Sequence, residues 1–100
     1  MIITGGKRYY IFWDEKRNNT QTTYSTFVMV PDRKAAKDIV LIEQNYRRHK
    51  DLPHMFHVTI GQHCPNVTHR AKTLYTARPD CDQETVLHIK DYLYKYGGIR

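Results

Sequence analysis

The sequence predicts an α+β fold: a mainly antiparallel sheet of about four strands with two helices on one face, in the order β-β-α-β-β-α. Three observations carry this. Residues 7–14 and 22–30 are rich in aromatic and β-branched side chains. Pro31-Asp32 and Pro79-Asp80 each precede a stretch whose apolar residues recur at helical spacing. Between them, residues 55–60 alternate with a period of two. At 100 residues the chain is read as a single domain, 1–100. A domain of this size buries only a little over about 60% of its unfolded surface, so its core is thin and a homodimer would be a natural supplement.

The first strand, residues 7–14 (KRYYIFWD), sets Tyr9, Ile11 and Trp13 on one face and Arg8, Tyr10 and Phe12 on the other. Aromatics on both faces imply that helices cover one face and that the other is partly open. Residues 15–19 (EKRNN) read as a polar turn, and residues 22–30 (TTYSTFVMV) as the second strand of a hairpin. Asp32 fits the N-cap of a helix running to about residue 49. Ala35, Ile39, Ile42 and Tyr46 form its stripe, with Ala36 and Val40 alongside. Arg47, Arg48, His49 and Lys50 crowd the end, where the helix dipole favours cations. The apolar run 39–42 also fits a short strand; the cap and the alanines favour helix.

Asp51-Leu52-Pro53 breaks the chain. In residues 55–60 (MFHVTI), alternation directs Phe56, Val58 and Ile60 inward and Met55, His57 and Thr59 outward. Residues 62–68 read as a loop and residues 70–77 as a weaker edge strand. Asp80 with Gln83 fits a capping box; Val86, Ile89, Leu93 and Tyr96 give a second stripe, closed by Gly97-Gly98. The two Pro-Asp steps stand 48 residues apart. A duplicated ββα unit would explain that repeat of plan; recurrence of common cap chemistry is the better explanation, because residue identity does not follow.

Composition narrows function without fixing it. No apolar run is long enough for a transmembrane helix, and residues 1–7 hold no signal-peptide stretch, so a cytoplasmic chain away from membranes is expected. Two cysteines, Cys64 and Cys81, build no disulfide framework. Sixteen Lys and Arg against ten Asp and Glu, a net charge of +6, and eight Tyr with one Trp suit a polyanion whose bases can stack. The candidate phosphate contacts are Arg8, Lys16, Arg17, Arg47, Arg48 and Lys50. The candidate stacking residues are Tyr10 and Tyr24, with Phe12 and Tyr75 as further rings.

Catalytic and metal patterns are weaker. His54, His57, His63 and His69 crowd around Cys64, but without a Cys-x-x-Cys pair, and His54 and His57 fall on opposite faces of a strand. We read them as polar surface histidines rather than zinc ligands and expect no cofactor. Ser25 is the only serine and lacks a glycine elbow. His57-Val58-Thr59 resembles one half of the signature of the 2H phosphoesterases. That resemblance implies a histidine and a hydroxyl facing a phosphodiester from one strand, completed by a second copy; His63-Cys64-Pro65 and His69-Arg70-Ala71 do not supply it.

The expectation is therefore a small basic non-enzymatic nucleic-acid-binding or regulatory protein, with DNA or RNA as partner. Second stands a phage- or mobile-element-type inhibitor that contacts a host protein handling nucleic acid, suggested by a short, motif-poor chain with Tyr, Trp and Arg as anchors. A phosphodiesterase centred on His57 stands third.

Overall fold

The computed structural model describes residues 6–63 and 69–77. Their elements are β1 (Lys7–Arg17), β2 (Thr20–Val30), α1 (Arg33–His49), β3 (Phe56–Gly61) and β4 (Arg70–Ala71), followed by a 3₁₀ turn at Tyr75–Ala77. The fold is α+β, with a four-stranded sheet in the order β3-β1-β2-β4. Both β2 and β3 run antiparallel to β1, whereas β4 runs parallel to β2, so the sheet is mixed rather than antiparallel throughout. One helix lies among the described residues. The second expected helix, from Asp80, falls outside them, as do Cys64 and Cys81.

The central hairpin is longer than the sequence suggests. Its turn consists of Asn18 and Asn19 alone, both at positive φ (47° and 68°). Asn tolerates that conformation, and a two-residue turn of this hand matches the twist of the strands it joins. Lys7–Arg17 therefore pairs in unbroken register with Thr20–Val30. Glu15, Lys16 and Arg17, expected in the turn, belong to the strand.

Alternation along β1 buries Tyr9, Ile11 and Trp13 as expected. They meet Val30, Ile60, Met55 and Leu74, together with Ala35, Ala36, Ile39 and Val40 of α1. Asp32 caps this helix through a 2.9 Å bond from the Ala35 N–H. Beyond Val40 the buried stripe of α1 becomes charged: Glu43 and Arg47 are fully buried, while Ile42 and Tyr46 are only half-buried.

On β3 the expected alternation breaks. Phe12 faces Thr59 and Asp14 faces Phe56, which leaves one extra residue on β3 opposite Trp13. His57 absorbs the irregularity at φ 51°. The insertion moves preceding side chains to the other face, so Met55 is buried and Phe56 is exposed, the reverse of the sequence expectation.

The 70–77 edge strand shrinks to Arg70–Ala71. After Lys72 N–H bonds to Ser25 O at 3.0 Å, the chain turns inward, where Glu43 accepts from Tyr75 N–H (3.0 Å), Thr76 N–H (2.9 Å) and Thr76 Oγ1 (2.7 Å). Satisfying a buried carboxylate outweighs two or three further ladder bonds at an edge. Because β3 and β4 sit at opposite edges, the second half does not repeat the first hairpin, and the plan repeat does not extend to topology. No described helix is long and apolar enough to cross a membrane.

Candidate nucleic-acid interface

Helix α1 covers one face of the sheet, so the even-numbered side chains of β1 project from the other. Cross-strand pairing sets Arg8 beside Met29, Tyr10 beside Phe27, Phe12 beside Ser25, Asp14 beside Thr23 and Lys16 beside Gln21. From β3, Thr59 joins Phe12 and Phe56 joins Asp14. Four rings thus share this face: Tyr10, Phe12, Phe27 and Phe56. Phe27 is 50% and Phe56 40% exposed, an unusual state for large apolar side chains in a chain with so little core.

Cations lie over these rings. The Arg8 guanidinium is 4.6 Å from the Phe27 centroid, and Lys16 Nζ is 5.5 Å from that of Phe56. Tyr10 meets Phe27 edge-on at 6.2 Å, and Phe12 carries the His69 ring at 5.0 Å. A groove of about 350 Å³ borders the face, lined by Tyr10, Phe27, Ser25, Thr26, Lys72 and Thr73. It combines two rings with four hydroxyls and the Lys72 ammonium, which suits a flat ligand group with polar edges.

Asp14 anchors the middle of the face. It accepts from Thr23 Oγ1 at 2.6 Å and Gln21 Nε2 at 2.9 Å, and pairs with His57 Nδ1 at 2.9 Å. The bond from Thr23, followed by that from His57, holds its carboxyl below the usual carboxylate range. Asp14 is thus an anion fixed by two neutral donors and a histidine.

The other cationic candidates disperse. Arg8, Lys16 and Tyr10 share the open face. Arg17 is exposed at the tip of the hairpin. Arg48 and Lys50 lie at the exposed end of α1, in the helix layer. Arg47 is not a surface cation at all: Nε bonds Glu43 at 2.6 Å, and Nη1 bonds Glu15 at 3.1 Å and the Pro53 carbonyl at 2.9 Å. Its side chain is fully buried, so it cannot reach a phosphate outside. Tyr24 also lies on the helix side, pairing with Trp13 at a centroid distance of 6.1 Å beneath Lys72. It belongs to the core margin rather than to the stacking surface.

Sequence reasoning missed Phe27 and Phe56 as parts of this face, whereas it directed His57 outward as found. For Phe27 the signal was available, since it is two residues from Ser25 and opposite Tyr10 once the hairpin register is drawn. For Phe56 there was none, because the bulge that re-aims it has no glycine to mark it. Among the described residues, no group of three or more His, Cys, Asp or Glu is placed to hold a metal ion. Comparison with protein-family models, curated proteins and solved structures gave no match.

Proposed function

We propose that this protein binds single-stranded nucleic acid across the open face of its sheet, as a regulatory or accessory protein that carries out no chemistry on it. The observation that supports this most is the set of four rings, Tyr10, Phe12, Phe27 and Phe56, on one solvent-facing surface with Arg8 and Lys16 seated over two of them. Every base offers a π-face, so such a platform holds single strands with little sequence preference. Arg8 and Lys16 stand eight residues apart on one strand, about 26 Å, which spans a short oligonucleotide. A duplex keeps its bases stacked on each other and gains nothing from the rings.

Fluorescence anisotropy with labelled short single strands and their duplexes tests this. Single strands are expected to bind more tightly than duplex, with log K falling linearly with log salt at a slope of about −0.7 per phosphate contacted. No binding at low salt, or duplex preference, would contradict the proposal. A second reading draws on the same exposed Phe27 and Arg8, which are also the side chains that anchor protein contacts. On that reading the protein is an inhibitor of a host protein that handles nucleic acid, and a stoichiometric partner retained from nuclease-treated lysate without any oligonucleotide binding would favour it.

A further inference from the structure

We propose that His57 is a phosphate contact on this face, oriented by Asp14, and that its imidazolium donates from Nε2 to a phosphate oxygen so that nucleic-acid binding takes up a proton. This rests on the nucleic-acid reading of the open face and names one contact within it.

The backbone is the first ground. His57 sits at φ 51°, in the left-handed region that residues other than Gly, Asn and Asp seldom adopt. It does so at a bulge, a device that re-aims a side chain. The result is a 2.9 Å bond between Nδ1 and Asp14 Oδ2. A solvent-facing pair of this kind adds little to stability, so stability does not account for a histidine held at positive φ.

The support around the ring is the second ground. Asp14 is fixed from the opposite side by Thr23 and Gln21, so the histidine is held by a carboxylate that is itself held. With Nδ1–H committed to Asp14, Nε2 is the nitrogen left for a ligand. The His57 side chain is 74% exposed against 14% for Asp14, and Nε2 makes no hydrogen bond among the described residues.

Charge is the third. The groups around His57 are Asp14 and Lys16 from β1, the neutral Gln21 and Thr23 from β2, and His54, whose ring lies edge-on to Phe56 at 6.3 Å. Lys16 lies over that same Phe56 ring, which immediately precedes His57 in the chain, so the proposed phosphate contact has a second cation on the same face. The depressed Asp14 carboxyl stays ionised across the tested pH range and is not the group that takes up the proton; the His57→Asn comparison separates His57 from the other nearby rings, His54 against Phe56 and His69 against Phe12.

The test is the pH dependence of affinity for a labelled uridine oligonucleotide between about pH 5.5 and 8.5, with the parent, His57→Asn and Asp14→Asn. Asn tolerates positive φ, so His57→Asn keeps the bulge while removing the titration; an unchanged far-ultraviolet circular dichroism spectrum verifies the fold. The parent is expected to tighten on the order of tenfold towards low pH, as one charged phosphate contact forms. His57→Asn is expected to lose that rise and, at low pH, to show a salt slope shallower by about 0.7. Asp14→Asn is expected to flatten the rise in affinity while leaving the unfolding midpoint little changed, because the ring is no longer held with Nε2 towards the ligand. Parallel pH curves for parent and His57→Asn, with binding intact, would overturn this inference while leaving the nucleic-acid proposal standing. Absence of binding at every pH would overturn both.

Discussion

Arg47→Ala is expected to destabilise the fold by about 3–5 kcal/mol, the range for removing one partner of a buried ion pair. Its guanidinium sits between Glu15 and Glu43, each fully buried, and beside the rings of Trp13 and Tyr75 at 5.6 and 4.8 Å. Lys72 supplies the balancing second cation at 2.7 Å from Glu15 Oε1, and Trp13 Nε1 donates to Oε2 at 2.8 Å. Two acids and two bases thus neutralise one another inside the protein and join β1, α1 and the 72–76 segment. Removing Arg47 leaves the carboxylates with one cation and opens a void beside Trp13. Urea unfolding reads the loss as a lower midpoint. Arg47→Lys is expected to recover only part of it, because an ammonium lacks the planar fork that reaches Glu43, Glu15 and the Pro53 carbonyl together. A change within about 0.5 kcal/mol for Arg47→Ala would contradict the network's role.

The same network gives an acid signature. Burial alone pushes the Glu15 carboxyl up, but the bonds from Lys72, Trp13 and Arg47 outweigh it and hold it below 4.5. The unfolded chain then binds this proton more readily than the folded one. The stabilisation from Glu15 is accordingly complete above about pH 4.5 and disappears as pH falls through the lower folded value. In Arg47→Ala the parent's fall in unfolding midpoint on acidification is expected to be shallower, since one of the bonds that hold Glu15 ionised is gone.

Replacing both Tyr10 and Phe27 with Ala is expected to weaken single-strand binding by about 1–3 kcal/mol per ring, roughly 5- to 160-fold each. These residues face one another across β1 and β2, and Phe27 is half exposed, so the fold loses little from its truncation. The salt slope is expected to change little, because stacking releases no counterions. Tyr24→Ala serves as the contrast. Its ring packs on Trp13 beneath Lys72, so its loss is expected to lower the unfolding midpoint while leaving affinity of the folded protein near that of the parent. Equal loss of binding in Tyr24→Ala and in the Tyr10/Phe27 variant would argue that the open face is not the platform.

Local chemistry was legible in the sequence, and long-range pairing was not. Asp32 announced its cap, and Tyr9, Ile11 and Trp13 announced the buried face of β1, because both signals are complete within a few residues. Glu15 reads as part of a polar turn and Arg47 as a surface cation, since nothing local reveals that they will meet Glu43 in the core. A left-handed histidine left no mark at the bulge, so Phe56 and Met55 were assigned to the wrong faces. For Tyr24 the register decided: aromatics occur on both faces of the hairpin, and only its pairing with Trp13 places it on the helix side. Of the candidate cations, Arg8 and Lys16 lie on the open face beside Phe27 and Phe56, whereas the buried Arg47 shows how composition overstates the charge available to a ligand.

The most direct measurement is a nuclear magnetic resonance titration of isotope-labelled protein with a short single strand. If the open face binds, the amides and side chains that shift are those of Tyr10, Phe12, Phe27, Phe56 and His57, while the exposed side of α1 around Lys37 and Leu41 stays fixed. Shifts concentrated on α1 with a silent β1 and β2, or a spectrum unchanged at saturating oligonucleotide, would contradict it.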